Sequence, residues 1–500
     1  MASAILDQHG NPFPTRVQRE WQGVRAELAK LRARYDAAET NDDNRRHWAM
    51  ADGMSVNALN SPGRRRTLRN RARYETACNS YARGISLTLA NDTIGTGPRL
   101  QMQLAGRADA NRLIERRFLQ WARAVRLAEK LRLMRLARFD CGEAFAVLTT
   151  NPRLPTPVQL DLTVIEADQC TTPDLIQETP TATDGIRYDQ WGHPTEYHFL
   201  RHHPGDLWAN PLDYVRWPAA QVIHYYRADR PGQRRGIPDI TPCLPLFAQL
   251  RRYTLAVLAA SETAADLAGV IRSNIPPEQA AELEPMDTID IVQRMLLTLP
   301  QGWDITQMKA EQPTTTYEMF ARMILNEILR CICMPYNIGA GNSSSYNYSS
   351  GRLDHQTYFK SIRVERHQIE LTVIERIFAA WLDEAALIDG FLPPGLPPFI
   401  DWEHSWYWDG FEHVDPLKEA NAEGVRLANH TDTMARIYAM QGRDWEEELR
   451  QRARELDLMR ELGLPLPGAS ADTTADDEPA GDTDDDDEAV AAAGGNHAMA

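Results

Sequence analysis

Between Tyr336 and Gly351 the chain runs sixteen residues without a carboxylate, ammonium or guanidinium group, although 25% of the whole sequence is charged. Strongly helical sequence flanks this run on both sides. Pro335 marks a helix boundary. Beyond the run, Ile362, Ile369, Val373, Ile377 and Trp381 recur at the spacing of a long amphipathic helix. The stretch from Cys331 to Glu384 therefore reads as a helix end, a loop of Gly, Ser, Asn and Tyr, and a second, longer helix. Two physical readings of the loop stand open. It is a solvated linker, since Gly and Ser flex cheaply and polar groups stay wet; or it touches a polyanion without gripping it. Each Lys or Arg on a phosphate adds affinity by releasing counterions and each carboxylate repels, so a wall past which a duplex slides carries neither.

The rest of the chain bounds the choice. Five hundred residues exceed one ordinary core and predict two to four structural units. Ten acids and no Lys or Arg follow Gly468, so most of the net charge of −16 lies in a disordered acidic tail and the remainder is only mildly acidic. The five lysines, Lys30, Lys130, Lys309, Lys360 and Lys418, never follow a Gly, which excludes the Gly-rich phosphate loop of NTP-driven motors. Cys78, Cys141, Cys170, Cys243, Cys331 and Cys333 form no C-x-x-C motif and read as free thiols of a reducing compartment. The N-terminus lacks a basic region followed by an apolar run, and the most apolar stretch, Leu255 to Ile271, is interrupted by Glu262 and Asp266, giving no basis for export or membrane insertion.

In chain order, residues 14–50 predict a peripheral helical arm. Next, Tyr74, Ala77, Cys78, Tyr81, Ile85 and Leu89 form one helical stripe, with Arg64, Arg65, Arg66, Arg69 and Arg73 nearby as a solvated face or as contacts to DNA or a second subunit. One helix is expected over 109–138. The period then changes to that of strands: EAFAVL, VQLDLTVIEA, GIRYD, TEYHFLR and QVIHYY predict a mostly antiparallel sheet, hence an α+β unit. Helical sequence returns from Ile237 and again over 316–334, enclosing a short strand-like excursion. FIDWEHSWYWDGFEHV reads as an aromatic packing layer. Two helices close the folded part, one starting at Asp415-Pro416 and one capped by Asp444 and Glu447. The candidate chemistry is sparse. Glu166 and Asp168 with His198, His202 and His203 would permit a metal-dependent nuclease, but strand spacing should turn those histidines to opposite sides, and no established hydrolase motif accompanies them.

His224 followed by Arg230-Pro231-Gly232-Gln233-Arg234-Arg235-Gly236-Ile237-Pro238, and Pro335-Tyr336 followed by Asn347-Tyr348-Ser349-Ser350-Gly351-Arg352, resemble signatures of the lambda-type portal proteins, the head-tail connectors of tailed bacteriophages. Asn79 to Arg83, Gly95-Thr96-Gly97, Trp121, Gly142-Glu143-Ala144-Phe145 and Val414-Asp415-Pro416 with Lys418-Glu419-Ala420 add weaker likenesses in the family's order, from about residue 60 to 460. Many members carry an acidic residue early in the loop where this chain has Gly341-Asn342. The resemblance implies a portal fold: an arm (1–59), an α/β wing (60–236), stem helices (237–273 and 314–335) around a clip (274–313), a tunnel loop (336–351), a long wing helix (352–390), an aromatic connector (391–415), a helical crown (416–463) and an acidic tail (464–500). It implies a homo-oligomeric ring of twelve subunits at one capsid vertex, assembled in the host cytoplasm, with double-stranded DNA passing through. The loop residues Asn342, Ser343, Ser344, Ser345, Tyr346, Asn347 and Tyr348 would face that DNA. Terminase large subunit, head-completion or adaptor proteins and the major capsid protein would be partners; no membrane, cofactor, metal or catalytic residue is implied.

Overall fold

The computed structural model describes residues 53–466 apart from 173–178, 266–268, 274–302, 308–313, 399–401, 411–415 and single positions, together with 46, 49 and 51. Most of the expected arm, of the clip and of the acidic tail lies outside the described residues. The chain divides into one unit up to Trp406 and a second from Tyr407.

The first unit begins with α1 (Val56–Leu59), α2 (Pro62–Cys78) and α3 (Ser80–Ile94). The expected single stripe is broken at Asn79, which ends α2 and caps α3 by accepting from the Tyr81 and Ala82 amides. That break inverts the reading of α2. Its inward face carries Arg65, Arg69, Ala72, Glu75 and Thr76, while Tyr74, Ala77 and Cys78 lie outside; Ile85 and Leu89 of α3 are buried as expected. After β1 (Arg99–Met102), the expected helix over 109–138 is likewise two, α4 (Ala108–Ala124) and α5 (Leu127–Cys141), separated by Arg126 in the left-handed region at φ 55°.

The strand region forms two small antiparallel sheets rather than one. β2 (Glu143–Thr150) lies between β3 (Leu160–Ile165) and β8 (Val222–Tyr226). β4 (Ala182–Thr183), β5 (Ile186–Tyr188), β6 (Pro194–Leu200) and β7 (Tyr214–Pro218) make the second sheet in that order. β7 was not expected; it is a sheet edge that ends in a proline, where the pattern of a central strand is lost. Phe145, Val147, Tyr197, Phe199 and Val222 fill the core between the sheets.

Helix α6 (Leu244–Ala265) and helix α7 (Thr314–Arg330) follow, with β9 (Gly269–Ser273) and β10 (Trp303–Gln307) paired antiparallel between them. Of the stretch 237–273 expected as one stem helix, Leu244–Ala265 is helix and Gly269–Ser273 is strand. The two helices lie side by side, with Tyr253 stacked on Tyr317 at 5.6 Å and packed on Phe320 at 4.6 Å. Arg251 pairs with Glu75, tying α6 to α2.

The chain then makes one helical turn, α8 (Tyr336–Gly339), and a short loop before α9 (Tyr348–Ile369), a π-helical turn (Glu370–Ile374) and α10 (Glu375–Ala386). Ile362, Ile369, Val373, Ile377 and Trp381 are all buried, as their pattern predicts. At about 100° per residue, repeated steps of four overshoot one α-helical face by about 40° each. The wider π turn winds more slowly and brings the stripe back in phase. β11 (His404–Tyr407) pairs with β1. Trp406 packs at 5.6 Å from both Phe118 and Phe378, so this part of the aromatic connector is packing.

Among the described residues of the second unit there are three helices where two were expected: α11 (Pro416–Ala428), α12 (Met434–Met440) and α13 (Trp445–Glu461). Asp444 caps α13 by accepting from the Glu446 and Glu447 amides. Among the described residues no helix is long and apolar enough to cross a membrane.

Candidate functional site

The uncharged run is shorter as a loop than its sequence suggests, because both ends are helical. α8 closes its N-terminal end. A Cβ on Gly339 would sit 2.0 Å from Leu329 Cδ2 of α7, so any larger residue there would force the buried Leu329 side chain to shift. Arg322 of α7 lies over the Tyr336 ring at 5.1 Å, and the Asn337 side chain hydrogen-bonds His355 of α9 at 2.9 Å. At the other end Asn347 caps α9. Its Oδ1 accepts from the Ser350 amide at 2.8 Å, and its own amide donates to Ser350 Oγ at 3.3 Å. The Asn-Tyr-Ser-Ser motif is therefore a reciprocal capping box.

Between these roots Gly341, Asn342, Ser343, Ser344 and Asn347 are exposed and Tyr346 is half-buried. Asn342 Oδ1 accepts from the amide and hydroxyl of Ser344 at 3.0 and 2.7 Å, which gives the loop an internal turn. Ser345 lies outside the described residues, and Tyr348 is the first residue of α9 rather than part of the loop. Ser349, Ser350 and Arg352 belong to the same helix. The surface offered to solvent is polar, small and neutral.

The helix that carries this loop is anchored deeply. Tyr358 donates to Asp92 Oδ2 at 2.8 Å. Arg366 donates to the carbonyls of Thr93 and Asp92, at 3.0 and 2.7 Å, at the C-terminal end of α3. Glu365 accepts from Tyr225 at 2.7 Å and pairs with Arg135 and Arg138, whose guanidinium groups also meet Asp239.

The signature around Arg230 to Pro238 builds a buried ionic network beneath β2 and β8. Arg235 is fully buried and forks onto Glu143, also fully buried, with its remaining donors on the carbonyls of Cys170, Asp184 and Ala167. Glu143 also accepts from Arg69, from the Gly236 amide at 2.8 Å and from His224 Nε2 at 3.0 Å. Burial alone would raise the Glu143 carboxyl, but Arg235, His224 and Arg69 hold it well below the usual carboxylate range. Burial pushes His224 below its ordinary value, so the ring is neutral and stacks between Phe145 and Tyr226, each at 4.3 Å. Gly142 and Gly236 touch backbone to backbone: a Cβ on Gly236 would lie 2.1 Å from the Gly142 carbonyl oxygen. Gln233 closes the turn by accepting from the Asp229 amide and donating to the carbonyls of Arg227 and Arg235; Gly232 supplies its positive φ of 77°. Arg230 and Pro231 are exposed, whereas Pro238 is buried.

This network corrects the reading of the arginine run. Arg65 pairs with Asp184, Arg69 with Glu143 and Asp168, and Arg73 with Asp168; Arg65 and Arg69 are buried and unable to reach a duplex. Arg64 and Arg66 remain exposed. Among the carboxylates of these networks, Asp184, Asp239 and Glu365 were missed in the sequence, and Glu143 stood there only within a family likeness and as an acid opening the otherwise apolar strand EAFAVL.

The nuclease candidates are partly gathered, although the three histidines diverge as expected. Glu166, Asp168 and His203 place ligand atoms within 4.8 Å of one another, with His203 Nε2 at 3.1 Å from Glu166. His198 turns away to Glu196 at 2.8 Å, and His202 is exposed. The two guanidinium groups on Asp168 keep its carboxyl below the usual range against the opposing effect of burial. They already neutralise the one half-buried acid of the trio, so the donor set does not fit a divalent cation.

Comparison with known proteins bears on the whole chain. A family described as "phage portal protein, lambda family" matches residues 41–366. A probable portal protein of Halomonas phage phiHAP-1 is 24% identical over 440 residues, covering 81% of this chain and 83% of that protein. Among solved structures, chains from the neck of an empty gene transfer agent particle and from the neck of a native one are similar. The first has 17% identity and covers 79% of this chain and 92% of its own; the second has 14% identity and covers 79% and 97%. Both have a TM-score of 0.40.

Proposed function

Because the chain belongs to the lambda family of phage portal proteins, we propose that its copies close into a ring of twelve at one capsid vertex, a passive conduit for double-stranded DNA. The observation that carries the reading is the exposed neutral surface from Gly341 to Asn347, held between the α8 turn packed on Leu329 and the capping box of α9. A duplex moving past such a surface meets neither a phosphate anchor nor a repelling carboxylate, and the rigid roots keep the surface in place. Here the loop lines the tunnel. α6 and α7 form the stem, the region between them the clip that docks terminase and later head-completion proteins, and the second unit the crown.

In this reading the ring performs no chemistry of its own; the energy for packaging comes from a separate terminase. The ring assembles in the host cytoplasm, meets the major capsid protein at the vertex and stays in the virion.

The test is to add phosphate anchors without disturbing the roots. Asn347 caps α9 and is left alone; Ser343→Arg with Ser344→Arg changes only the exposed turn. Rings should assemble normally while the yield of DNA-filled particles, counted by electron microscopy, falls by at least about tenfold. Undiminished filling would place this loop away from the DNA path.

A further inference from the structure

Two thiols that stand 88 positions apart in sequence meet at the base of the α6–α7 hairpin. Cys243 is buried at the end of a 3₁₀ turn (Thr241–Cys243) leading into α6, and Cys331 is half-buried, one residue past the end of α7. Both sulfurs converge on the same turn of chain. Cys243 Sγ lies 3.2 Å from the Ile240 carbonyl oxygen, and Cys331 Sγ lies 3.3 Å from the adjacent carbonyl oxygen, that of Asp239. The two thiols are close enough to perturb one another electrostatically. A covalent link here would fix the two helices together where they leave the wing and where the chain turns into α8 and the neutral loop.

We propose that Cys243 and Cys331 are a redox pair that closes to a disulfide when the protein meets an oxidising solution, stapling α6 to the end of α7. The pair is free as the structure stands. Its reaction partner is a small disulfide such as oxidised glutathione. The Cys331 thiolate attacks one glutathione sulfur, the glutathione S–S bond breaks and one glutathione thiolate leaves. Cys243 then attacks Cys331 Sγ, gives its proton to that departing thiolate, and expels the second glutathione. Two thiols are oxidised by two electrons and one glutathione disulfide is reduced.

The order of attack follows from the surroundings. Cys331 is half-buried and the more open of the two, so a small disulfide reaches it first. Cys243 is buried behind it, which makes it the resolving partner. Competing thiols are separated by access: Cys141 and Cys170 are buried, and burial pushes Cys170 up to about 12. Cys78 is exposed on α2. Cys333, exposed and two residues beyond Cys331, is the nearest rival.

The experiment uses the full-length protein incubated with oxidised glutathione, blocked with N-ethylmaleimide, digested without reductant and mapped by mass spectrometry. The expected result is a linked peptide pair joining Cys243 to Cys331 as the main product, reversed by dithiothreitol and unaffected in Cys333→Ser. In Cys243→Ser, oxidation should leave glutathione on Cys331. A Cys331–Cys333 link, stable glutathione on Cys331 of the unaltered chain, or an unmodified Cys331 would each overturn the proposal. The mapping reads the thiols directly, so it stands or falls apart from any result on DNA packaging.

Discussion

The buried network around Glu143 and the loop before α9 treat charge in opposite ways. In the network Arg65, Arg69, Arg235, Glu143 and Asp184 are drawn almost entirely out of water and matched to one another. In the loop no fixed charge is present, and the described residues are exposed apart from the half-buried Ala340 and Tyr346. Charge taken out of water is expensive unless its partners are held in place, so a buried network of this kind demands one geometry and gives a rigid frame. A neutral loop makes no such demand, and its shape is set only at its two roots. The chain spends its ionic interactions on the frame and withholds them from the surface that the frame presents.

The sharpest way to break this contrast is to remove one buried and one exposed arginine. Arg235→Ala leaves Glu143 buried with a partner lost and should destabilise the wing by about 3–5 kcal/mol, close to the whole stability of many domains. Little soluble protein is the expected outcome, or a urea midpoint far below that of the parent. Arg64→Ala, on the exposed face, should shift the midpoint by less than about 0.5 kcal/mol. Equal effects from the two would mean that the network is not what holds the frame.

A middle-sized effect is expected from pH. His224 is held neutral, below its ordinary value, so the unfolded chain takes up a proton that the folded chain refuses. Stability therefore falls as pH drops below about 6.5, the unperturbed imidazole value. Glu143, Asp168 and Asp184 are depressed carboxyls; their contribution is present above about 4 and is lost as pH falls further through their folded values. Melting temperature against pH should thus decline in two stages. His224→Gln, which keeps a donor for Glu143, should flatten the first stage and leave the second. The remaining slope belongs in part to His198, which burial also lowers.

Much of this division was legible in the residues, and the failures have physical causes. The long apolar stripe from Ile362 to Trp381 was readable because one face of one helix is buried throughout its length. The neutral run was readable because absence of charge is a property of composition alone. The inward turn of Arg65 and Arg69 was not. Local pattern gives an arginine-rich helix face to water, and only carboxylates brought from β2 and from the turn before β5, 74 and 119 positions away, reverse that preference. Helix ends failed for a related reason. Asn79 can both stop one helix and start the next, and a stripe that continues across it looks like a single element. The meeting of Cys243 with Cys331 has no local signal at all.

The smallest expected effect tests the roots of the loop instead of the frame. Asn347→Ala removes the side-chain half of the capping box, leaving the Ser350 amide without its acceptor, and an exposed cap of this kind is worth about 1 kcal/mol. The loss is local, because α9 is anchored further along by Tyr358, Glu365 and Arg366. Global melting should move little, while hydrogen exchange should speed up several-fold at the amides of the first turn, from Ser349 to Arg352, and stay unchanged beyond Tyr358. Asn347→Ser, which restores an acceptor, should recover the parent rate. If exchange in the first turn is already as fast in the parent as in Asn347→Ala, the loop has no fixed C-terminal root, and the contrast between a rigid frame and a surface it holds in position loses one of its two supports.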